Sequence, residues 1–449
     1  MKGMTLRAMT QAVNGIYHGN GEDYDKEITA ITIDSRKVAE GGLFIAIKGE
    51  RSDGHDFIGQ CFEKGAACVI SEKELPDEEH SYIQVESSLQ ALKDLALLYR
   101  NNLDVKVVGI TGSVGKTSTK ETISSVLSEK YRVLKTLGNF NNEIGLPLTV
   151  FRLTEDDEVA VLEMGISDFG EMSRLADIAR PDTCVITNIG QCHLEFLGDR
   201  DGVLKAKTEV FRYLKEGGRA ILNGDDDKLA TIRQVQGKEL IFFGMNPAFP
   251  VYADQIQSRG LKGMSCRIHL PEAEFAVEIP MPGQHMVYNA LAAAAVGMVH
   301  GLTPEQIRRG IESLEPISGR FRMIETNHFL IVDDCYNANP VSMKASLDVL
   351  KDALGRKVAI LGDMGELGEQ EKELHAEVGD HAGRCGLDLL ICTGSLSRYM
   401  SEAAKAANPN LEVIYEVDSK KLERNLFSYL RDGDTILVKA SHFMHYERL

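Results

Sequence analysis

The chain has 449 residues, too many for one ordinary domain and ample for two or three with sizeable cores, and its 43% hydrophobic and 26% charged residues are an ordinary globular balance. A formal net charge of −17 argues against a general nucleic-acid binder, because neutralising phosphates takes a basic surface; a locally basic pocket for a small phosphorylated ligand stays open. Eight cysteines without a C-x-x-C pair point to neither a disulfide framework nor a thiolate zinc site and fit a reduced cytoplasm. The opening MKGMTLRAMTQAVNG lacks the apolar core of a signal peptide, and the most apolar helix candidate, 290–299, is too short to span a bilayer. A soluble cytoplasmic protein, monomeric and without nucleic-acid or membrane partners, is the expectation.

Residues 1–100 carry the short strand-like runs ITAITID, GGLFIAIKG and ACVIS, followed by a helical pattern over 88–99. From about 105 the apolar runs VKVVGIT, EVAVLEMG, TCVITNIG, RAILNGD and LIFFG alternate with helical segments such as 116–130 and 202–214. Continuous apolar runs between helices imply a parallel sheet buried on both faces. After Gly244 the rhythm breaks into shorter alternating runs, then a helix over 288–300. A third block from about 316 (FLIVDD, KVAILGD, LDLLICTG, LEVIYEV, DTILVKA) has the alternation of a second, Rossmann-like α/β unit. The expected fold class is α/β in three domains, 1–102, 103–316 and 317–449, with linkers near 100–104 and 315–320. The central one is a parallel sheet with extra short strands.

Residues 111–117 read T-G-S-V-G-K-T between an expected strand, 105–110, and the helix after Lys116. That context suits a phosphate loop, in which backbone N–H groups and a helix N-terminus converge on an anion. Gly112 and Gly115 permit the turn, Ser113, Val114 and Ser118 complete the cradle, Lys116 reaches terminal phosphates, and the Thr117 hydroxyl suits Mg²⁺. The outer glycine of the usual pattern is absent: its position holds Ile110. No N-K-x-D guanine-reading motif occurs, so ATP is the better nucleotide. Glu163 closes the next strand, where a phosphate-loop ATPase holds an acid on its metal; His193 follows another strand, and Lys207 comes fourteen residues later on an expected helix. Alone, a Glu closing a strand is usually solvated, a His is more often structural and a Lys on a helix is nearly always solvated; their joint occurrence beside the loop carries weight.

The motifs GITGSVGKTS, GNFNNEIGLP (138–147), LEMG, HLEFLG…KAKTEVF, GQHMVYNALAAAA (283–295), SGRF (318–321) and DDCYNANP (333–340) occur in the order found in the Mur ligases of peptidoglycan synthesis, which the whole chain resembles. That family's phosphate loop also lacks the outer glycine. NFNNEIGLP, YNANP and LGDMGELGEQEKELH resemble the branch that adds D-alanyl-D-alanine to UDP-N-acetylmuramoyl-tripeptide; the D-N-P-R-type motif of the branch that adds a diamino acid is absent from the third block. The resemblance implies ATP and two Mg²⁺ ions, one on Thr117 and Glu163, the other on Glu163, His193 and a carbamylated Lys207, which is preferred to Lys205. It implies that Asn289 contacts adenine, Arg320 the γ-phosphate and Asp334 the ribose, with the third domain closing over the nucleotide. Ser35, Arg36, Asp53, Gly54 and His55 would lie near the uridine diphosphate in an N-terminal UDP-sugar domain, although D-S-R and D-G-H alone read as turns. Two departures weaken single contacts: Met286 stands where the family commonly has Asn, and Ala440 and His442 replace the Gly and Arg of VKGSR.

A carboxylate does not react with an amine, because its oxygen is a poor leaving group. The γ-phosphoryl transfer implied by the resemblance converts it to an acyl phosphate, with Lys116, Arg320 and Mg²⁺ offsetting charge, after which a free amine displaces phosphate. Lys116, Glu163, His193, Lys207 and Arg320 are therefore the expected catalytic set. An ATP-switched binding protein is the rival from another class; it would need no second metal.

Overall fold

Val- and Ile-rich runs form the strands, and those apolar throughout are buried on both faces. The computed structural model describes residues 1–50, 52–76, 80–235, 237–317 and 319–449. The first sheet holds β1 (Ile16–His18), β2 (Ile31–Thr32), β3 (Leu43–Ile45), β4 (Cys68–Ser71) and β5 (Tyr82–Gln84) in the order β1-β5-β4-β3-β2. β2 to β5 run parallel and β1 antiparallel, so the loops after β2, β3 and β4 leave at one edge.

The second sheet is the nine-stranded frame of the site: β6 (Lys106–Thr111), β7 (Val133–Lys135), β8 (Val159–Glu163), β9 (Thr183–Ile186), β10 (Arg219–Asn223), β11 (Glu239–Gly244), β12 (Val251–Ser258), β13 (Met264–Leu270) and β14 (Ala273–Ile279). β6 lies between β8 and β9, all parallel, so their C-terminal ends open on one crevice, the usual ligand side of an open α/β sheet. The break in rhythm after Gly244 is the antiparallel meander β12-β13-β14. The third sheet joins β15 (Arg322–Glu325), β16 (Leu330–Asp333), β17 (Lys357–Gly362), β18 (Leu389–Thr393), β19 (Glu412–Glu416) and β20 (Thr435–Lys439) in the order β15-β16-β20-β17-β18-β19, parallel except for β15.

Three expected helices differ in extent. The segment expected at 202–214 is an α-helix, Arg200–Thr208, capped by Asp199, and then a 3₁₀ turn, Glu209–Tyr213. There the Glu209 carboxylate accepts the N–H groups of Gly170 and Ser173 at 3.1 Å, tying the turn to its neighbour. The helix expected at 288–300 starts earlier, as Gln284–Val299, and the one at 116–130 ends at Ser128. The joint at 100–104 is a packed one: buried Arg100 donates to the Leu103 and Val105 carbonyls, and Tyr99 Oη donates to Leu153 O across the border. Helix Ser88–Asn101 shares one apolar core with the central sheet. In the other expected joint, 315–320, Ser318 lies outside the described residues.

At the end of helix Gln284–Val299, burial, and then the cation of Lys106, push His300 down to about 4 from an ordinary 6.5. The folded state therefore refuses a proton that the unfolded chain accepts, and stability is lost as pH falls from about 6.5 towards 4. His300→Gln should remove ~2–3 kcal/mol of the loss between pH 7 and 4.5, read as the difference between variant and parent in urea unfolding at the two pH values.

Candidate functional site

Strand β6 runs to Thr111, which makes Ile110 an interior residue, fully buried, and leaves no turn there for a glycine to serve. The chain turns at Gly112, with φ 149°, where a Cβ would lie 1.9 Å from Thr187 Oγ1. The loop is pinned from the end of β9: Thr187 Oγ1 and Asn188 Nδ2 donate to Val114 O at 2.7 and 2.9 Å. Ser113 N and Val114 N in turn donate to Asn188, through its backbone O and Oδ1 (3.0 and 2.9 Å). These two amides, expected in the phosphate cradle, are thus engaged in building the loop. The cradle itself is the open helix N-terminus. Gly115, at φ 82°, caps the helix Lys116–Ser128 without a side chain, leaving its first-turn N–H groups for an anion. The Lys116 ammonium donates to Gly112 O at 2.8 Å, folded over the loop it serves.

Next to this N-terminus Thr117 Oγ1 donates to Glu163 Oε1 at 3.4 Å, and Asn141 Nδ2 donates to the same oxygen at 2.8 Å. The other oxygen, Glu163 Oε2, is buried without a hydrogen-bond partner among the described residues. A buried carboxylate oxygen left bare costs stability, and a hydroxyl beside it completes a set of hard donors. The residues present therefore fit Mg²⁺. His193 lines the same cavity, its Nδ1 2.6 Å from Glu366 Oε2 of the third domain, an ion-pair contact rather than an aligned hydrogen bond.

Lys207 is 1% exposed and is not on the cavity wall. No hydrogen bond or ion pair engages its ammonium among the described residues, so pairing with Glu163, the ordinary alternative for this lysine, does not occur. Burial lowers it to about 8; Cys192 opposes the shift, and the Lys116 cation adds to it.

The third domain closes the crevice. Arg320 Nη2 donates to Thr117 Oγ1 at 3.2 Å, and its guanidinium lies 3.9 Å from the Tyr336 ring centre, a cation–π contact. Between the domains is a cavity of about 720 Å³ whose wall includes Ser113–Thr119, Glu163, His193, Asn289, Arg320 and Asp334. Asp334, expected near the ribose, lines it too. Its carboxylate is already held by Lys439 Nζ (2.6 Å), Ser346 Oγ (2.5 Å) and Phe321 N (3.2 Å), as a buried ion pair that shapes the wall. Asn289 accepts from Thr119 Oγ1 at 2.8 Å and donates to Met286 Sδ at 3.2 Å, so Met286 orients its neighbour where an amide was lacking.

The N-terminal candidates gather at the open edge of the first sheet, in the loops after β2 and β3, as two self-satisfied turns. Asp34 takes Arg36 in a bidentate pair, at 2.8 and 2.9 Å, and Ser35 O accepts from Lys64 Nζ. Asp53 takes His55 N, His55 Nδ1 and Lys73 Nζ, which hold its carboxyl well below the usual range. A Cβ on Gly54 would lie 2.7 Å from Ile47 N. Asn141, Asn188, Glu366 and Lys439 were not singled out by the sequence, although all four sit in quoted stretches: NFNNEIGLP, TCVITNIG, LGDMGELG and DTILVKA.

Residues 27–100 match the model of the Mur ligase family catalytic domain, 110–297 the Mur ligase middle domain, and 319–442 the Mur ligase glutamate ligase domain. The chain is 39% identical over 450 residues to the UDP-N-acetylmuramoyl-tripeptide--D-alanyl-D-alanine ligase of Bacillus subtilis, covering 99% of this chain and 97% of that protein. Among solved structures it is similar to MurF from Acinetobacter baumannii (TM-score 0.89, 32% identity, 99% and 97% of the two chains). It is also similar to MurF ligase from Thermotoga maritima in complex with ADP (TM-score 0.82, 33% identity, 93% and 95%).

Gly112→Ala tests whether this turn builds the cradle. The clash with Thr187 should displace the loop and weaken ADP binding by about 1–3 kcal/mol, or ~10–100-fold in Kd by calorimetry. Equal binding by the variant would mean that the loop does not contact the nucleotide.

Proposed function

This chain belongs to the Mur ligase family, and from that premise we infer that it is an ATP-dependent ligase joining the amino group of D-alanyl-D-alanine to the tripeptide carboxylate of UDP-N-acetylmuramoyl-tripeptide. The observation that carries the inference is the near-full-length similarity to the D-alanyl-D-alanine-adding branch, together with a phosphate loop that meets Arg320 in one cavity between the domains.

In this reading ATP lies in the cavity with its phosphates at the N-terminus of helix Lys116–Ser128, and Lys116 exchanges Gly112 O for a phosphate oxygen. Arg320 turns its free donors to the γ-phosphoryl group, held in place by Tyr336 beneath it. Asn289, fixed by Thr119 and Met286, meets the adenine edge, while Asp334 works through the wall it builds with Lys439. The tripeptide carboxylate attacks the γ-phosphorus, ADP leaves, and the amine of the dipeptide then adds to the acyl carbon and expels phosphate. Closure by the third domain excludes water that would hydrolyse the acyl phosphate. Two Mg²⁺ ions, held by Thr117 and Glu163 and by Glu163, His193 and a carbamate on Lys207, would neutralise phosphate oxygens when bound.

Lys207 suits that carbamate on its own chemistry. Only a free amine attacks CO₂, with loss of one proton, and at pH 7 a group lowered to about 8 is roughly one-tenth free amine, far more than an ordinary lysine. The UDP moiety is assigned to the open edge of the first sheet, where Ser35, Arg36 and the 53–55 turn gather; Arg36, 85% exposed, can leave Asp34 for a diphosphate. A monomer working in the cytoplasm completes the proposal. Among the described residues no helix is long and apolar enough to cross a membrane.

Phosphate release from ATP should require UDP-N-acetylmuramoyl-tripeptide and D-alanyl-D-alanine together. Turnover with a free diamino acid and the UDP-dipeptide, and none with D-alanyl-D-alanine, would overturn the assignment. Lys207→Ala should lose at least ~100-fold in rate and recover with formate or acetate, which can restore oxygen ligands in the cavity. Recovery only with small amines would show that Lys207 acts as a cation.

A further inference from the structure

Glu366 and His193 both hold left-handed backbone, φ 60° and 52°, a conformation that side chains other than glycine rarely adopt. Such strain persists only where the surroundings over-determine it, and it gathers at functional sites. Here the two strained residues meet each other across the cleft, at 2.6 Å between Glu366 Oε2 and His193 Nδ1.

The segment that presents Glu366 is anchored on three sides. Asp363 Oδ1 accepts Ser397 N and Oγ (2.7 and 2.6 Å), and its Oδ2 accepts Leu396 N (3.2 Å). Met364 N donates to Nε2 of buried His375 (2.9 Å), and Gly365 N to Ser441 Oγ (2.9 Å). The chain then runs along the His193 segment: a Cβ on Gly368 would lie 3.6 Å from Glu195 N. Among the described residues, none of these anchors hydrogen-bonds to the cavity residues assigned above to ATP. Together they aim one carboxylate at one imidazole nitrogen.

An imidazole has two nitrogens, and the hydrogen bond made by one sets the chemistry of the other. With Nδ1 facing Glu366, Nε2 is the nitrogen left for the cavity that His193 lines. We propose that Glu366 is a positioning residue: its carboxylate, 2.6 Å from His193 Nδ1 and out of line for a hydrogen bond in this structure, comes into line when the third domain docks on bound nucleotide, holds the proton on Nδ1 and so presents Nε2 as a metal-binding nitrogen. Metal affinity is then coupled to domain closure, and by linkage the metal favours the closed state equally. The proposal rests on His193 being a metal ligand.

The test uses the full chain with a non-hydrolysable ATP analogue, and Mn²⁺ as the probe, its free fraction read by electron paramagnetic resonance. Glu366→Ala should weaken the second Mn²⁺ by ~10–100-fold, and Glu366→Gln by less, because an amide oxygen still accepts the Nδ1 proton without the charge. The double variant with His193→Ala should bind no more weakly than His193→Ala alone. If Glu366→Ala fails to fold, as judged by thermal unfolding, Glu366→Gln carries the test. Parent-like binding of the second ion by the Glu366 variants, with binding lost in His193→Ala, would make Glu366 a docking contact only and overturn the proposal. Normal binding of both ions by His193→Ala would instead overturn the ligand assignment on which it rests.

Discussion

The Thr117 hydroxyl stands between Glu163 Oε1, at 3.4 Å, and Arg320 Nη2, at 3.2 Å. One oxygen thus joins the first turn of the phosphate-loop helix, the end of strand β8 and the third domain. The reaction needs these three together, because it brings a carboxylate up to a triphosphate inside a chain whose net charge is already −17. Only local cations with water excluded make that approach favourable: charges act most strongly where the dielectric is low. Lys116 and Arg320 supply them from opposite sides of the cleft.

Unpaired charge separates function from scaffolding. Asp334 accepts from Lys439, Ser346 and Phe321, and Asp53 from His55 and Lys73, so each also shapes the site it lies in. Glu163 Oε2 and the Lys207 ammonium are buried and bare among the described residues, an arrangement that weakens the fold unless something else completes it. In the proposed function, Mg²⁺ on Glu163 and a carbamate on Lys207 would complete them.

The two joints differ in kind. The first domain is welded to the second through helix Ser88–Asn101 and buried Arg100, within one shared core. The third meets the second through Arg320 to Thr117 and Glu366 to His193 at the cleft, through Ser258 to Asp352, and where Leu261 packs on the third domain's core. Polar contacts exposed to substrate can be made and broken at small cost, whereas a shared apolar core cannot.

Local pattern alone determined much of this. The apolar runs, the T-G-S-V-G-K-T turn, the change of rhythm after Gly244 and the order of motifs depend on neighbours a few residues apart, so strands, phosphate loop and family were legible without coordinates. Helix ends were less so: Glu209 reaches across to Gly170 and Ser173, and the helix tightens there for a reason no local pattern contains. Ile110 in place of the outer glycine was legible as a trait of the family, and the structure adds the physical reason: β6 runs on to Thr111, which moves the turn to Gly112. Asn188 as the loop's clamp, Asp334 as half of a buried pair with Lys439 (105 residues away), and Glu366 against His193 were decided by the tertiary structure alone. Burial and partnership are properties of what surrounds a side chain, and those surroundings come from distant parts of the chain.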